Sequence, residues 1–379
     1  MAGGGIVPWI IRANAAGEPE WSRNYEPIGY TATCCSTIES IEQTSDGGYV
    51  AAGVAASSPG PSDAWLFKLD PNGNVQWSKT YRGDQRVEGF FQAEPTRDGG
   101  YVAVGNTFSF GSPGHPSNGW VLKLDRAGNV VWQEAFGGQD TFSIDQTKDG
   151  GFIVAGTVDV DGRAEAWVFK LDREGNISWQ KAYAVAARTE AFSIHETQDG
   201  GYVVAGHSTL GALVLRLDRT GKIQWLRTLE GSGFTTSSVV ESSDHGFVVA
   251  GRSSGPYLLK LDPKGNIVWE RVYGKPNDIF FQARVARDGG LVVGGYLFTS
   301  DSIWGLKLNP EGDLGGCPLG TPSNGPITGN PATVTSPTVR VVSSSATVVQ
   351  TDVKLIVTIT GVKTQCLSVL DSGKRGKNW

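Results

Sequence analysis

Six positions, each four residues before the Asp of an Asp-Gly-Gly or Asp-His-Gly turn, carry Glu42, Glu94, Asp145, His195, Val240 and Arg284. Carboxylates, an imidazole and a guanidinium recurring at one register could divide acid and base roles or hold a cation. Both tasks need charged groups that converge from separate elements. The plainer reading is a set of hydrated polar residues on inner strands. A second group, Phe108, Phe110 and His115, lies among Pro61, Pro113 and Pro116 in connections whose length varies from copy to copy. Variable connections on a regular scaffold are where a binding rim is built, and ordinary solvated loops are the alternative.

Other chemistry finds no support. The four histidines, 115, 195, 207 and 245, have no metal-ligand spacing. Asp70-Pro71-Asn72-Gly73-Asn74 lacks the spaced carboxylates and distal Glu of a calcium loop. There is no Gly-x-Ser-x-Gly elbow or phosphate loop. No catalytic residue, metal or cofactor is therefore expected, and the chain reads as a binder rather than an enzyme. Cys34, Cys35, Cys317 and Cys366 form no C-x-x-C pair. A disulfide between Cys317 and Cys366 would clamp the segment between them in an oxidising compartment. The adjacent Cys34 and Cys35 read as separate thiols or as partners of those two.

The elements that must position these residues come from an internal repeat. DGGYVAAG at 46–53 returns as DGGYVAVG, DGGFIVAG, DGGYVVAG, DHGFVVAG and DGGLVVGG, with steps of 52, 51, 50, 45 and 44 residues. Between the copies runs W-x-x-K-L-D-x-x-G-N-x-x-W. Its outer position holds Trp21, Trp77, Trp132, Trp179, Trp225 and Trp269, and its inner one Trp9, Trp65, Trp120, Trp167 and Trp304. Eleven of the twelve tryptophans thus fall in one frame, which a chance alignment would not produce. Each copy reads as four strands: one ending in the Asp-Gly-Gly hairpin, an apolar run, a Trp-led strand, and a strand carrying the outer Trp. A four-stranded unit repeated at this spacing is the pattern of a propeller blade. The expected fold is all-β, a β-propeller of six blades (alternatively seven) with a C-terminal β-rich extension. The half-unit at 9–25 lacks its first two strands and the unit at 278–309 its fourth, so joining both in one blade would close the ring. The six outer tryptophans are expected to wedge between neighbouring blades.

K-L-D-x-x-G-N-x-x-W resembles the tryptophan-docking repeat of quinoprotein-like propellers. The DGGYVVAG copies are similar to those of uncharacterised, mostly exported repeat proteins of thermophilic archaea and bacteria. The resemblance covers residues 9–316 and implies a propeller. It brings no active site, because no residues here match a pyrroloquinoline quinone site, and that family commonly has eight blades.

The chain divides into the propeller at 1–316, a Gly/Pro-rich linker at 317–331 and a β-rich tail at 332–379 that lacks aromatic residues until Trp379. Tail strands are expected at 338–343, 346–350 and 353–360, packed on the propeller's own flank or exchanged with a neighbouring subunit to give filaments. The tail from 317 carries six Lys or Arg and two Asp, so its charge is +4. The overall charge of −5 then leaves −9 on residues 1–316. An acidic body argues against nucleic acid, and no apolar stretch reaches membrane-span length. Met1 to Gly5 lacks the basic start and apolar core of a secretory signal. The function expected is a non-catalytic, extracellular or cell-surface module that binds a protein or glycan or serves a structural role. The alternatives are a carbohydrate or redox enzyme using channel carboxylates, and a fibre subunit.

Overall fold

A computed structural model describes residues 8–14, 19–30, 36–57, 60, 62–84, 88–110, 117–137, 139–230, 235–253, 255–273, 277–297 and 302–313, and the tail strands named below. The N-terminal half-unit is β1 (Trp9–Ala13) with β2 (Pro19–Pro27). Blade 1 is β3 (Thr37–Gln43), β4 (Tyr49–Ala56), β5 (Ser62–Leu69) and β6 (Val75–Arg82). Blade 2 is β7 (Glu88–Pro95), β8 (Tyr101–Thr107), β9 (Asn118–Leu124) and β10 (Val130–Phe136). Blade 3 is β11 (Gln139–Gln146), β12 (Phe152–Val160), β13 (Arg163–Leu171) and β14 (Ile177–Ala184). Blade 4 is β15 (Thr189–Glu196), β16 (Tyr202–Ser208), β17 (Gly211–Leu217) and β18 (Ile223–Glu230). Blade 5 is β19 (Thr235–Glu241), β20 (Phe247–Arg252), β21 (Pro256–Leu261) and β22 (Ile267–Val272). Blade 6 is β23 (Ile279–Val285), β24 (Leu291–Leu297) and β25 (Ser302–Leu308). No helix occurs among the described residues, and the fold is an all-β propeller of six blades on one four-strand plan.

Two turns make the plan. In blade 1 the Thr44 and Gly48 backbones close the first hairpin around Gly47, whose φ is +79°. Asp46 accepts the Gly48 N–H, the Thr44 hydroxyl and the ammonium of Lys68, which is buried on β5. A Cβ on Gly48 would sit 2.5 Å from that ammonium and 2.2 Å from the Leu69 carbonyl, so the second glycine exists to let the lysine in. The same clamp recurs as Asp98–Lys123, Asp149–Lys170, Asp199–Arg216, Asp244–Lys260 and Asp288–Lys307. The Thr44 hydroxyl, then Lys68 and the Gly48 amide, hold Asp46 at about 2 despite its partial desolvation. The second turn is closed by Asp70, which accepts the Asn72 and Asn74 amides and the Asn74 side chain. In blade 5 the first glycine is replaced by His245 at φ +62°, an uncommon conformation for a residue with a side chain.

The chain forms two compact units, one ending at Gln180 and regaining the tail from Ser336, the other containing the blades from Lys181. Blades within each unit join by two rows of hydrogen bonds. On the first strands the backbone N–H of Ala93 donates to Ser40 Oγ at 3.0 Å and that of Ile144 to Gln92 Oε1 at 3.1 Å. Val239 to Ser193 Oγ and Ala283 to Ser238 Oγ repeat this in the second unit. On the fourth strands the hydroxyls of Tyr25, Tyr81, Tyr183 and Tyr273 donate to the turn carbonyls of Gly73, Gly128, Gly221 and Gly312. Side chains of both blades fill the space between, as where Leu66 and Tyr81 meet Phe90, Trp120 and Leu122.

The outer tryptophans sit between neighbouring sheets, as Trp21 on Tyr49, Trp77 on Tyr101, Trp132 on Phe152 and Trp225 on Phe247 show, but less deeply than the inner set. Trp65, Trp120 and Trp167, the inner set, are fully buried. Trp21, Trp77, Trp132, Trp179, Trp225 and Trp269 are half-buried. Each indole whose docking is described lies over the turn glycine of the next copy, Trp21 on Gly73 and Trp132 on Gly175 for example, and Trp21, Trp77, Trp225 and Trp269 also pack against the buried core. Trp132 Nε1 also donates to the Arg173 carbonyl at 3.0 Å.

The ends of the chain do not merge into one blade. β1 and β2 form a sheet with a tail strand, and β23 to β25 form a separate three-stranded sheet. Trp9 and Trp304 both hold the third-strand slot, so a merged blade would carry one strand too many. The tail adds a strand to five of the chain's own sheets, four times as a fifth strand on a blade and once as a third strand on the half-unit. β26 (Ile327–Thr328) pairs with β18 and β27 (Thr333–Thr335) with β14 in the second unit. β28 (Val341–Val342) pairs with β10, β29 (Thr347–Gln350) with β6, and β30 (Val353–Val357) with β2 in the first. All five pairings are antiparallel and cover sheet edges that would otherwise present unpaired backbone. β26 falls inside the stretch that composition marks as linker.

Candidate functional site

Every first strand carries a β-bulge seven residues before the turn Asp. Gly105 pairs with Phe90 and Val104 with Gln92, which leaves Phe91 out of the ladder. The same skip isolates Glu39, Phe142, Phe192, Ser237 and Phe281. A bulged residue is skipped by the backbone ladder, which bends the strand there. Phe91 is 36% and Phe281 56% exposed, while Phe142 and Phe192 are half-buried. In the first unit the Phe91 and Phe142 rings stand 5.5 Å apart on adjacent blades. In the second, the Ser237 hydroxyl donates to the Phe280 carbonyl at 2.6 Å. No charge marks the phenylalanines of this row. The signal was nonetheless present, as phenylalanine at one repeat position in four of six copies.

The charged positions three residues further along are held at one register. Glu42 faces Val50, Glu94 faces Val102, and Asp145 faces Ile153 in the first unit. His195 faces Val203 and Arg284 faces Val292 in the second, where Val240 faces Val248. All are half-buried. The Gln92 side chain donates to Glu94 at 2.7 Å while its carbonyl oxygen serves the blade joint, so Glu94 is tied into the scaffold. Glu196 and Glu241 extend the acidic character of the second unit, and Glu241 accepts the Gln198 backbone N–H at 2.7 Å.

At the variable-loop end Phe108 is 44% exposed, as a rim residue should be. Phe110 turns inward and packs on Trp120, with ring centres 5.7 Å apart. His115, Cys34, Cys35, Cys317 and Cys366 lie outside the described residues. A buried acidic pair sits near this end. Asp63 accepts the Tyr30 hydroxyl and lies 3.5 Å from the Arg82 guanidinium. Glu88 accepts the Ser109 and Thr107 hydroxyls on Oε1, and its buried Oε2 has no partner. Burial pushes the Glu88 carboxyl above the ordinary range; the Ser109 hydroxyl opposes this and the charge of Asp63 adds to it.

No family model and no curated protein matches this chain. Its structure is similar to that of a protein of unknown function from Bacteroides caccae, at 13% identity and a TM-score of 0.47, over 66% of this chain and 88% of that one. It is also similar to Sqt1 from Chaetomium thermophilum, at 13% identity and a TM-score of 0.46, over 75% and 86% of the two chains. Sqt1 has been solved bound to the N-terminus of the ribosomal protein L10. A putative oxidoreductase (glucose dehydrogenase) from Thermus thermophilus is similar at 15% identity and a TM-score of 0.43, over 76% and 99%. At these identities and scores the likenesses assign no activity.

Proposed function

We propose that the chain is a non-catalytic binding module whose first strands take an apolar and basic segment of a partner protein. The carrying observation is the row of bulged phenylalanines, which the backbone ladder skips. Aromatic rings offer large contact area at low entropic cost, and the carboxylates beside them, on a body of charge −9, favour a cationic partner. An extracellular or cell-surface setting belongs to the same proposal, supported by the resemblance of the DGGYVVAG copies to exported repeat proteins.

Peptide display against the full chain tests it. Basic peptides with aromatic or aliphatic residues are expected, and Phe91→Ser and Phe281→Ser, each alone, are expected to weaken the peptides selected by their unit about tenfold. Selection of no peptide, or binding indifferent to both substitutions, overturns the proposal. A glycan bound with the same dependence on Phe91 or Phe281 replaces the protein partner by a sugar.

A further inference from the structure

Blades 2 and 3 meet without the donors that the other described joints share. Two residues after an outer Trp, the fourth strand usually carries a base that reaches the second turn of the next copy. Arg23 donates to Asn74 Oδ1 at 2.6 Å and Lys79 to Asn129 Oδ1 at 2.8 Å. Lys181 donates to the Thr220 carbonyl at 2.8 Å, Arg227 to those of Lys264 and Gly265 at 2.8 Å, and Arg271 to that of Glu311 at 3.0 Å. On blade 2 the same position is Glu134, opposite Val121 in the ladder as Lys79 is opposite Leu66. The tyrosine hydroxyl that serves the turn glycine of four joints is also missing, because its position holds Phe136. Blade 4 lacks it too, with Leu229, but there Arg227 bonds the Gly265 carbonyl directly.

The turn of blade 3 therefore meets blade 2 with acceptors alone. The Asn176 amide donates to Asp172 at 2.9 Å, as that of Asn129 does to Asp125, which leaves Asn176 Oδ1 in the place where Asn129 Oδ1 takes the Lys79 ammonium. Among the described residues no side chain donates to Asn176 Oδ1 or to the Glu174 and Gly175 carbonyls, and Glu134 makes no hydrogen bond or ion pair. Glu134 is half-buried, and burial raises its carboxyl above the ordinary range. A carboxylate drawn out of water beside oxygen acceptors is unfavourable unless a cation joins them. We infer that a calcium ion fills this joint, held by the Glu134 carboxylate of blade 2 and by Asn176 Oδ1 and the Glu174 and Gly175 carbonyls of blade 3. On one carboxylate a divalent ion carries a net charge of +1, the charge that Lys or Arg brings to the other joints. Carboxylate, amide and backbone oxygens suit calcium, whereas magnesium keeps most of its own waters. Among the described residues no three His, Cys, Asp or Glu gather in one place. With a single carboxylate the site is weak, with a Kd on the order of 10⁻⁴–10⁻³ M. Its ligands come from two blades, so no local sequence motif displays it.

The test is a calorimetric titration of the chelator-stripped full chain with calcium chloride. Binding in that range is expected, weakened at least about tenfold by Glu134→Gln. The melting midpoint is expected to rise with calcium in the wild type and to stay level in the variant. Glu134→Lys supplies the ammonium of the other joints. It is expected to ignore calcium and, in chelator, to melt at or above the wild-type midpoint. No calcium binding by the wild type, or binding unchanged in Glu134→Gln, overturns the inference. A folded Glu134→Lys chain that melts below the wild type in chelator also overturns it, because the joint then lacks no cation.

Discussion

On each first strand two neighbouring residues have opposite fates. Ser193 is buried and accepts the Val239 amide of the next blade. Phe192, one place earlier, is skipped by the ladder and half-exposed. Ser40, Gln92 and Ser238 repeat the first fate, and Phe91 and Phe281 the second. The buried row is confined to Ser and Gln wherever its bond is seen, because a buried amide needs an acceptor at that one point. The bulged row ranges from Phe to Glu and Ser, because no ladder pairing is required of it. A recurring large apolar residue at a position the ladder skips asks for a reason beyond strand pairing.

The comparison can be broken or sharpened in order of expected effect. Trp120→Ala, in the fully buried inner set, is expected to cost about 3–5 kcal/mol, read by denaturant unfolding. Trp132→Ala, half-buried over a turn glycine, is expected to cost about 2 kcal/mol; a loss equal to that of Trp120→Ala would place the outer set as deep as the inner one. Ser193→Ala orphans the Val239 amide and is expected to cost about 1–2 kcal/mol without altering peptide binding. A change in affinity at constant stability would erase the distinction between the two rows.

Glu88→Gln should show its effect through pH. The folded carboxyl is raised, so the native state keeps its proton longer than the unfolded chain, and stability falls as pH rises from the unfolded toward the folded value. Melting curves of the variant should therefore lose that downward drift, and a drift that persists would place its source elsewhere. Phe281→Ser is expected to leave stability within about 0.5 kcal/mol while weakening the partner. A large destabilisation would show the bulged row to be part of the packing after all.

Much of this was legible before any coordinates. The Asp-Gly-Gly and Asp-x-x-Gly-Asn turns are local, and their glycines and carboxylates are dictated by bonds made within a few residues, so Asp46 and Asp70 read true. The strand plan followed from these turns and from the tryptophan spacing. The bulge did not: it depends on the register against the following strand, which no local pattern around Phe91 announces. The buried pair Asp63 and Glu88 was hidden for a similar reason, since the two acids lie on different blades and burial is a property of what packs over them.

The tail divides the two kinds of knowledge most sharply. By itself the sequence determined four-stranded units, their turns, their order and the β-forming character of residues 332–360, because these rest on local backbone preference and alternation. Only the tertiary structure decided which edges the tail would cover. Strand addition is made by backbone groups that every residue owns, so its partner is selected by which open edge the chain reaches rather than by side-chain identity.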